Sequence, residues 1–156
     1  MKNGNKNLIV FSLVFAVILV GLIFWQKENN AAPGNQKAEV ASTVPYLLPN
    51  LPLKQHIHPE LKIFVDGVEE ALPAEIGLTL TQHRAIHTHE TDGVIHVEAQ
   101  DTRDYTLGNF FSVWGKTIAR EGYDVQMLVD GSPSTKYENL VFRDGQKIVL
   151  KYTTKK

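Results

Sequence analysis

The chain contains no cysteine, and that absence removes several kinds of protein at once. It can have no disulfide framework, no thiolate metal site and no lipoprotein acylation point. Methionine is almost as scarce, with two in 156 residues. Met127 lies far along the chain from the other candidate ligands, which argues against a soft copper(I) site. Charge of neither sign dominates, since 16 Lys and Arg stand against 17 Asp and Glu. Without a basic run or patch, nucleic acid is not an expected partner. No Gly-rich phosphate loop is present, and Ser112 and Ser132 lack the surroundings of a catalytic nucleophile. Low-complexity tracts and fixed-period repeats are missing too. Histidine is what stands out: the chain has six, and all of them fall between His56 and His96.

Long apolar runs are also missing, with one exception. Residues 8–25 carry no charge and are broken only by Ser12 and Gly21. A stretch of about 18 such residues reaches the lower end of what crosses a bilayer as a helix. Lys2 and Lys6 precede it, whereas Lys27 after it is offset by Glu28, a bias that keeps the N-terminus in the cytoplasm. A cleaved signal peptide is the alternative, but Asn30-Ala31-Ala32 is a poor small-x-small cleavage site. The expected organisation is a cytoplasmic N-terminus at 1–7, a retained transmembrane signal anchor at 8–25, a Pro- and Asn-rich tether at 26–55 and an extracytoplasmic domain at 56–156. Such a protein sits in the cytoplasmic membrane as a single-pass chain, with a metal ion and another membrane or extracytoplasmic protein as candidate partners. Within the tether, Tyr46-Leu47-Leu48 can either dock on the domain or belong to a loose stalk.

Four Asp-Gly dipeptides punctuate the remainder, at 66–67, 92–93, 130–131 and 144–145. Asp and Gly tolerate the positive φ that a two-residue type I′ hairpin turn needs. The spacing predicts hairpins at Asp66-Gly67, Asp92-Gly93 and Asp144-Gly145, the last joining residues 137–142 to 146–152. Ser132-Pro133-Ser134 makes Asp130-Gly131 read as the start of a loop instead. Leu107, Phe110, Phe111 and Trp114 recur at i, i+3, i+4 and i+7, the apolar stripe of one helix. Thr106 or Asp104 can cap its start and Gly115 its end. The expected class is α+β, mainly β, with one amphipathic helix and an inserted histidine-bearing hairpin.

Over residues 61–152 this order of elements resembles the β-grasp, or ubiquitin-like, fold, with the histidine hairpin as the departure. The resemblance implies a fold and no function. The string His56-Ile57-His58-Pro59-Glu60-Leu61, with His87-Thr88-His89, residues 93–98 (Gly-Val-Ile-His-Val-Glu) and residues 106–115 (Thr-Leu-Gly-Asn-Phe-Phe-Ser-Val-Trp-Gly), is similar to a group of membrane-anchored prokaryotic proteins. That likeness implies an anchor and no particular chemistry.

If Asp92-Gly93 is a two-residue loop, His89 pairs with His96 and His87 with Glu98. Alternate residues of a strand share a face, so His87, His89, His96 and Glu98 then lie together, opposite an apolar face. A metal-free version of that face is a solvated strand surface or a pH sensor. His56 and His58 share one parity; they complete this cluster, form a second one, or lie on a solvated strand start. His83 either extends the cluster or sits on an exposed turn beside Arg84.

Imidazole suits zinc, copper, nickel and iron rather than calcium, and outside the cytoplasm the expected cofactor is a divalent transition metal, zinc or copper(II). An H-x-H pair plus a third histidine on the neighbouring strand resembles the zinc ligand set of the α-type carbonic anhydrases, carried here by His87, His89 and His96. Nothing else matches that family, and the cupin pattern fails because Glu90 follows His89 directly. Glu98 serves either as a fourth ligand or as an acceptor that orients a ligand histidine. Three readings follow: a metal-binding protein, a small zinc hydratase or hydrolase, and a metal-free interaction module.

Overall fold

The computed structural model describes residues 43–156; the expected anchor at 8–25 and the first part of the expected tether lie outside the described residues. Among the described residues no helix is long and apolar enough to cross a membrane. The elements in chain order are β1 (Gln55–Ile57), β2 (Glu60–Val65), β3 (Val68–Glu70), β4 (Ile86–His87), β5 (His96–Ala99), α1 (Leu107–Trp114), β6 (Tyr123–Val129), β7 (Ser132–Ser134), a 3-10 turn (Tyr137–Asn139) and β8 (Lys147–Thr154). Among the described residues the class is α+β, mainly β with one α-helix.

A five-stranded mixed sheet runs in the order β3-β2-β8-β6-β7. Its centre is a parallel pair, β2 with β8, and β6 lies antiparallel on the other side of β8. Leu61 and Ile63 of β2 and Ile148, Leu150 and Tyr152 of β8 are buried, the alternation of strands with one face in a core. They share that core with Leu107, Phe110 and Phe111 of α1. The helix has the expected caps. Thr106 Oγ1 accepts from the Asn109 amide and Asn109 Oδ1 accepts from the Thr106 amide, a capping box. Gly115 ends it in the left-handed conformation, at φ 77°.

The Asp-Gly dipeptides divide in an instructive way. Asp66-Gly67 joins β2 to β3 with positive φ at both residues, 48° and 85°, as expected. Asp130-Gly131 does the same between β6 and β7, at 50° and 80°, so the expected loop is a hairpin. Pro133 is tolerated there because β7 is an edge strand, where a missing amide donor breaks no ladder. Asp144-Gly145 makes no hairpin: Asp144 is absent from the positive-φ residues, and β8 pairs with β2 and β6 instead. Residues 137–142 go to the helix. The Leu107 amide donates to the Leu140 carbonyl, the Phe142 amide to the Tyr105 carbonyl, and Leu140 and Phe142 are buried.

A second, three-stranded antiparallel sheet has the order β1-β5-β4 and carries His56, His87 and His96. The segment before it is no stalk. Val44 is buried, the Pro45 carbonyl accepts from the Ala85 amide, and the Leu47 amide donates to the His83 carbonyl. The Gln100 side chain grips the Leu48 amide and the carbonyls of Leu48 and Leu51. Residues 44–55, expected in the tether, thus belong to the domain's packed edge.

Candidate metal centre

The histidine hairpin forms in a register different from the one expected. His87 pairs with His96 and Ile86 with Val97, two residues out from pairing His89 with His96. Gly93 has φ of 91° but Asp92 does not share it, so no type I′ turn closes the loop; Asp92 Oδ1 caps the Val94 amide instead. The backbone explains the slip. Thr88 exchanges hydrogen bonds with residues 75 and 76, through Glu75 amide to Thr88 carbonyl and Thr88 amide to Ile76 carbonyl. Its hydroxyl donates to the Pro73 carbonyl and accepts from the Ile76 amide. On the other arm, the Ile95 amide donates to Pro59 and the Leu61 amide to Gly93. Each arm of the supposed hairpin tip therefore pairs elsewhere.

A slip of two residues keeps every side chain on its face, so the cluster survives. Val97 and Ala99 of β5 point into the core and are buried, whereas His96 and Glu98 point the other way. His87 lies at the bottom, fully buried. Its Nδ1 is 2.9 Å from the Arg84 carbonyl oxygen, which can only accept, so Nδ1 carries the proton. Nε2 is then a bare lone pair, and it faces His89 Nε2 at 3.2 Å. Burial, above all, holds the ring neutral, pushing its pKa down to about 4 against the pull of the Arg84 carbonyl and Glu98. Burial also lowers the pKa of His96, helped by the neighbouring His89 and His58.

His96 is the centre of the arrangement. Its ring lies 4.7 Å from that of His89, 4.8 Å from that of His58 and 5.5 Å from that of His87, centroid to centroid. The Nδ1 atom is buried without a hydrogen-bond partner; the nearest acidic oxygen, Glu98 Oε1, is 3.9 Å away, too far for a hydrogen bond. Leaving such a polar atom unsatisfied costs about 1–3 kcal/mol. Ligand nitrogens of His87, His89 and His96 lie within 4.8 Å of one another, and so do those of His56, His58 and His96. Both triads have the geometry to hold a metal ion. Nitrogens on one tetrahedral zinc, each about 2.05 Å from the ion, are ~3.3 Å apart, close to the separation between His87 and His89.

Glu98 takes a place other than the one expected. It pairs across the strands with His56, and its Oε1 is 3.4 Å from His56 Nε2. It therefore stands beside His56, on the side of the second triad, and is grouped with neither triad. His58 donates its backbone amide to Asp144 Oδ1 at 2.9 Å, with its ring Nδ1 3.8 Å from the same oxygen. His83 approaches His87 and His89 at 5.6 and 6.2 Å but joins neither triad. Asp144 and the Arg84 carbonyl are the participants not anticipated. Asp144 is 86 residues from His58 in sequence, and a carbonyl leaves no sequence signal.

No family model, curated protein or solved structure matches the chain.

Proposed function

We propose that this chain is a membrane-anchored, extracytoplasmic protein that binds a divalent transition metal, zinc or copper(II), through His87, His89 and His96. One observation carries the reading: three imidazoles converge, with the buried His87 held neutral and its lone pair turned toward His89. Imidazole must be deprotonated to bind a metal, and burial keeps His87 so. His96, the histidine common to both triads, also carries a buried Nδ1 without a partner, and unsatisfied buried groups collect where a ligand belongs. Placement outside the cytoplasm rests on the apolar run at 8–25 and its lysine bias. We also infer a β-grasp arrangement for the larger sheet; its order, with a parallel central pair of first and last strands, supports that likeness.

A second reading, a zinc hydratase or hydrolase, draws on the same triad. Among the described residues no fourth side chain joins His87, His89 and His96, and three protein ligands plus water is the pattern of catalytic zinc. Assays of hydration and ester hydrolysis on the zinc-loaded protein separate the two.

The test is calorimetric titration of the metal-free chain in detergent with zinc, copper(II) and nickel, beside His89→Ala. Wild type should bind at least one of these tighter than ~10 μM, about −6.8 kcal/mol. The exposed His89→Ala should fold normally and bind about 100-fold or more weakly, beyond the loss seen for a mere supporting partner. Failure of wild type to bind any of the three leaves a metal-free module.

A further inference from the structure

The six histidines do not make one crowded site. Their ligand nitrogens fall into two triads that share His96 alone. Ligands of a single tetrahedral ion lie ~3.3 Å apart, so no one ion collects both His56 and His58 on one side and His87 and His89 on the other. The two sides also differ in character. The first is anchored by the fully buried His87. The second is open: the side chains of His56 and His58 are 53% and 41% exposed. The second has its own acidic neighbours, with Glu98 beside His56 and His96 and Asp144 behind His58. Glu98 Oε1, 3.4 Å from His56 Nε2 and 3.9 Å from His96 Nδ1, places a carboxylate next to two of the second triad's three histidines.

We propose that the domain holds two divalent ions at once, the second bound by His56, His58 and Glu98, with His96 bridging the pair. This rests on the metal-binding reading above and extends it. An imidazole has two ring nitrogens, and each ion takes one. Binding the second ion forms a nitrogen–metal bond at His96 and breaks its remaining N–H, the proton passing to solvent. The product is an imidazolate, whose negative charge and that of Glu98 offset part of the added charge. With metal–nitrogen bonds of about 2.05 Å, the two ions stand roughly 6 Å apart. The inner ion is held more tightly, because one of its ligands, His87, is buried and fixed by the Arg84 carbonyl. The outer ion exchanges with solvent, and water or a small anion can complete its shell.

The experiment is copper(II) titration of the full chain in detergent, followed by calorimetry and electron spin resonance, on wild type and on the double variant His56→Ala/His58→Ala. Both substituted residues lie at the surface, and a melting curve checks that the double variant is folded. Wild type should take up two equivalents, the second more weakly. Signal per copper should fall as the second equivalent binds, because an imidazolate bridge couples the two unpaired electrons. The double variant should stop at one equivalent, keep the tighter affinity within about threefold, and give the full uncoupled signal throughout. Wild type saturating at one equivalent overturns the proposal and leaves the metal-binding reading standing. Two equivalents retained by the folded double variant overturns it as well, since the outer ion then lies elsewhere. No copper bound by wild type removes both.

Discussion

His87 shows how much of a binding site can be prepared by one buried ring. Its proton is committed to the Arg84 carbonyl and burial keeps the second nitrogen bare, with a pKa near 4. The consequence for the metal-free protein follows from linkage. Below the ordinary histidine value of about 6.5 the unfolded chain binds a proton at this position that the native ring refuses. Unfolding then takes up protons, so stability present above pH 6.5 is lost as pH falls toward 4. At 1.36 kcal/mol per unit, the loss from His87 is on the order of 3 kcal/mol, and His96 adds to it in the same direction. Urea melts of metal-free wild type and His87→Gln between pH 7 and 4 check this. The variant should start less stable and lose less on acidification; parallel curves would mean that the ring is not held neutral.

At the scale of elements, what could be read from sequence was what local chemistry decides. Asp66-Gly67 turns because both residues can take positive φ, and α1 forms where its apolar stripe and both caps agree. The meeting of His87, His89 and His96 was also legible, since strand parity survives a slip of two, but the place of Glu98 beside His56 was not. The register itself was not legible. Thr88 prefers the carbonyl and amide of Ile76, and residues 93–95 prefer Pro59 and Leu61, partners that nothing near Asp92-Gly93 announces. Nor does any turn signal announce β1, which pairs His56 with Glu98 of β5. Gly93 is the point that fixes the arm carrying His96. It has φ of 91°, and a Cβ there would meet the Leu61 carbonyl oxygen at 2.6 Å. Gly93→Ala should therefore lose at least about 2 kcal/mol, from left-handed strain plus overpacking, and weaken metal binding with it. Gly145→Ala, at φ of 65° with open space around it, should cost only about 1 kcal/mol and leave binding unchanged. Equal losses in denaturant melts would show that the contact with β2 does not matter.

For the whole molecule, the arrangement separates duties. Both sheets and α1 share one buried apolar core, to which the smaller sheet gives Ile86, Val97 and Ala99, while His96 and Glu98 of the same sheet point away from it. That core includes none of the histidines proposed as ligands, so the domain is expected to fold without an ion. The proposed place in the cell rests on the apolar run at 8–25: an uncleaved anchor there would leave the domain outside, near the membrane surface. Protease treatment of spheroplasts, with the N-terminus sequenced, should find the histidine domain digested and the chain beginning at or near Met1. A protected domain contradicts the topology, and an N-terminus beyond Trp25 replaces the anchor with a cleaved leader. The central claim, that histidines hold the metal, is most directly tested by zinc K-edge X-ray absorption of the full chain loaded with one equivalent. The account predicts a shell of four light atoms with metal–nitrogen distances of about 2.0–2.1 Å, and outer-shell scattering from three imidazole rings. A shell of oxygens without imidazole scattering would contradict it.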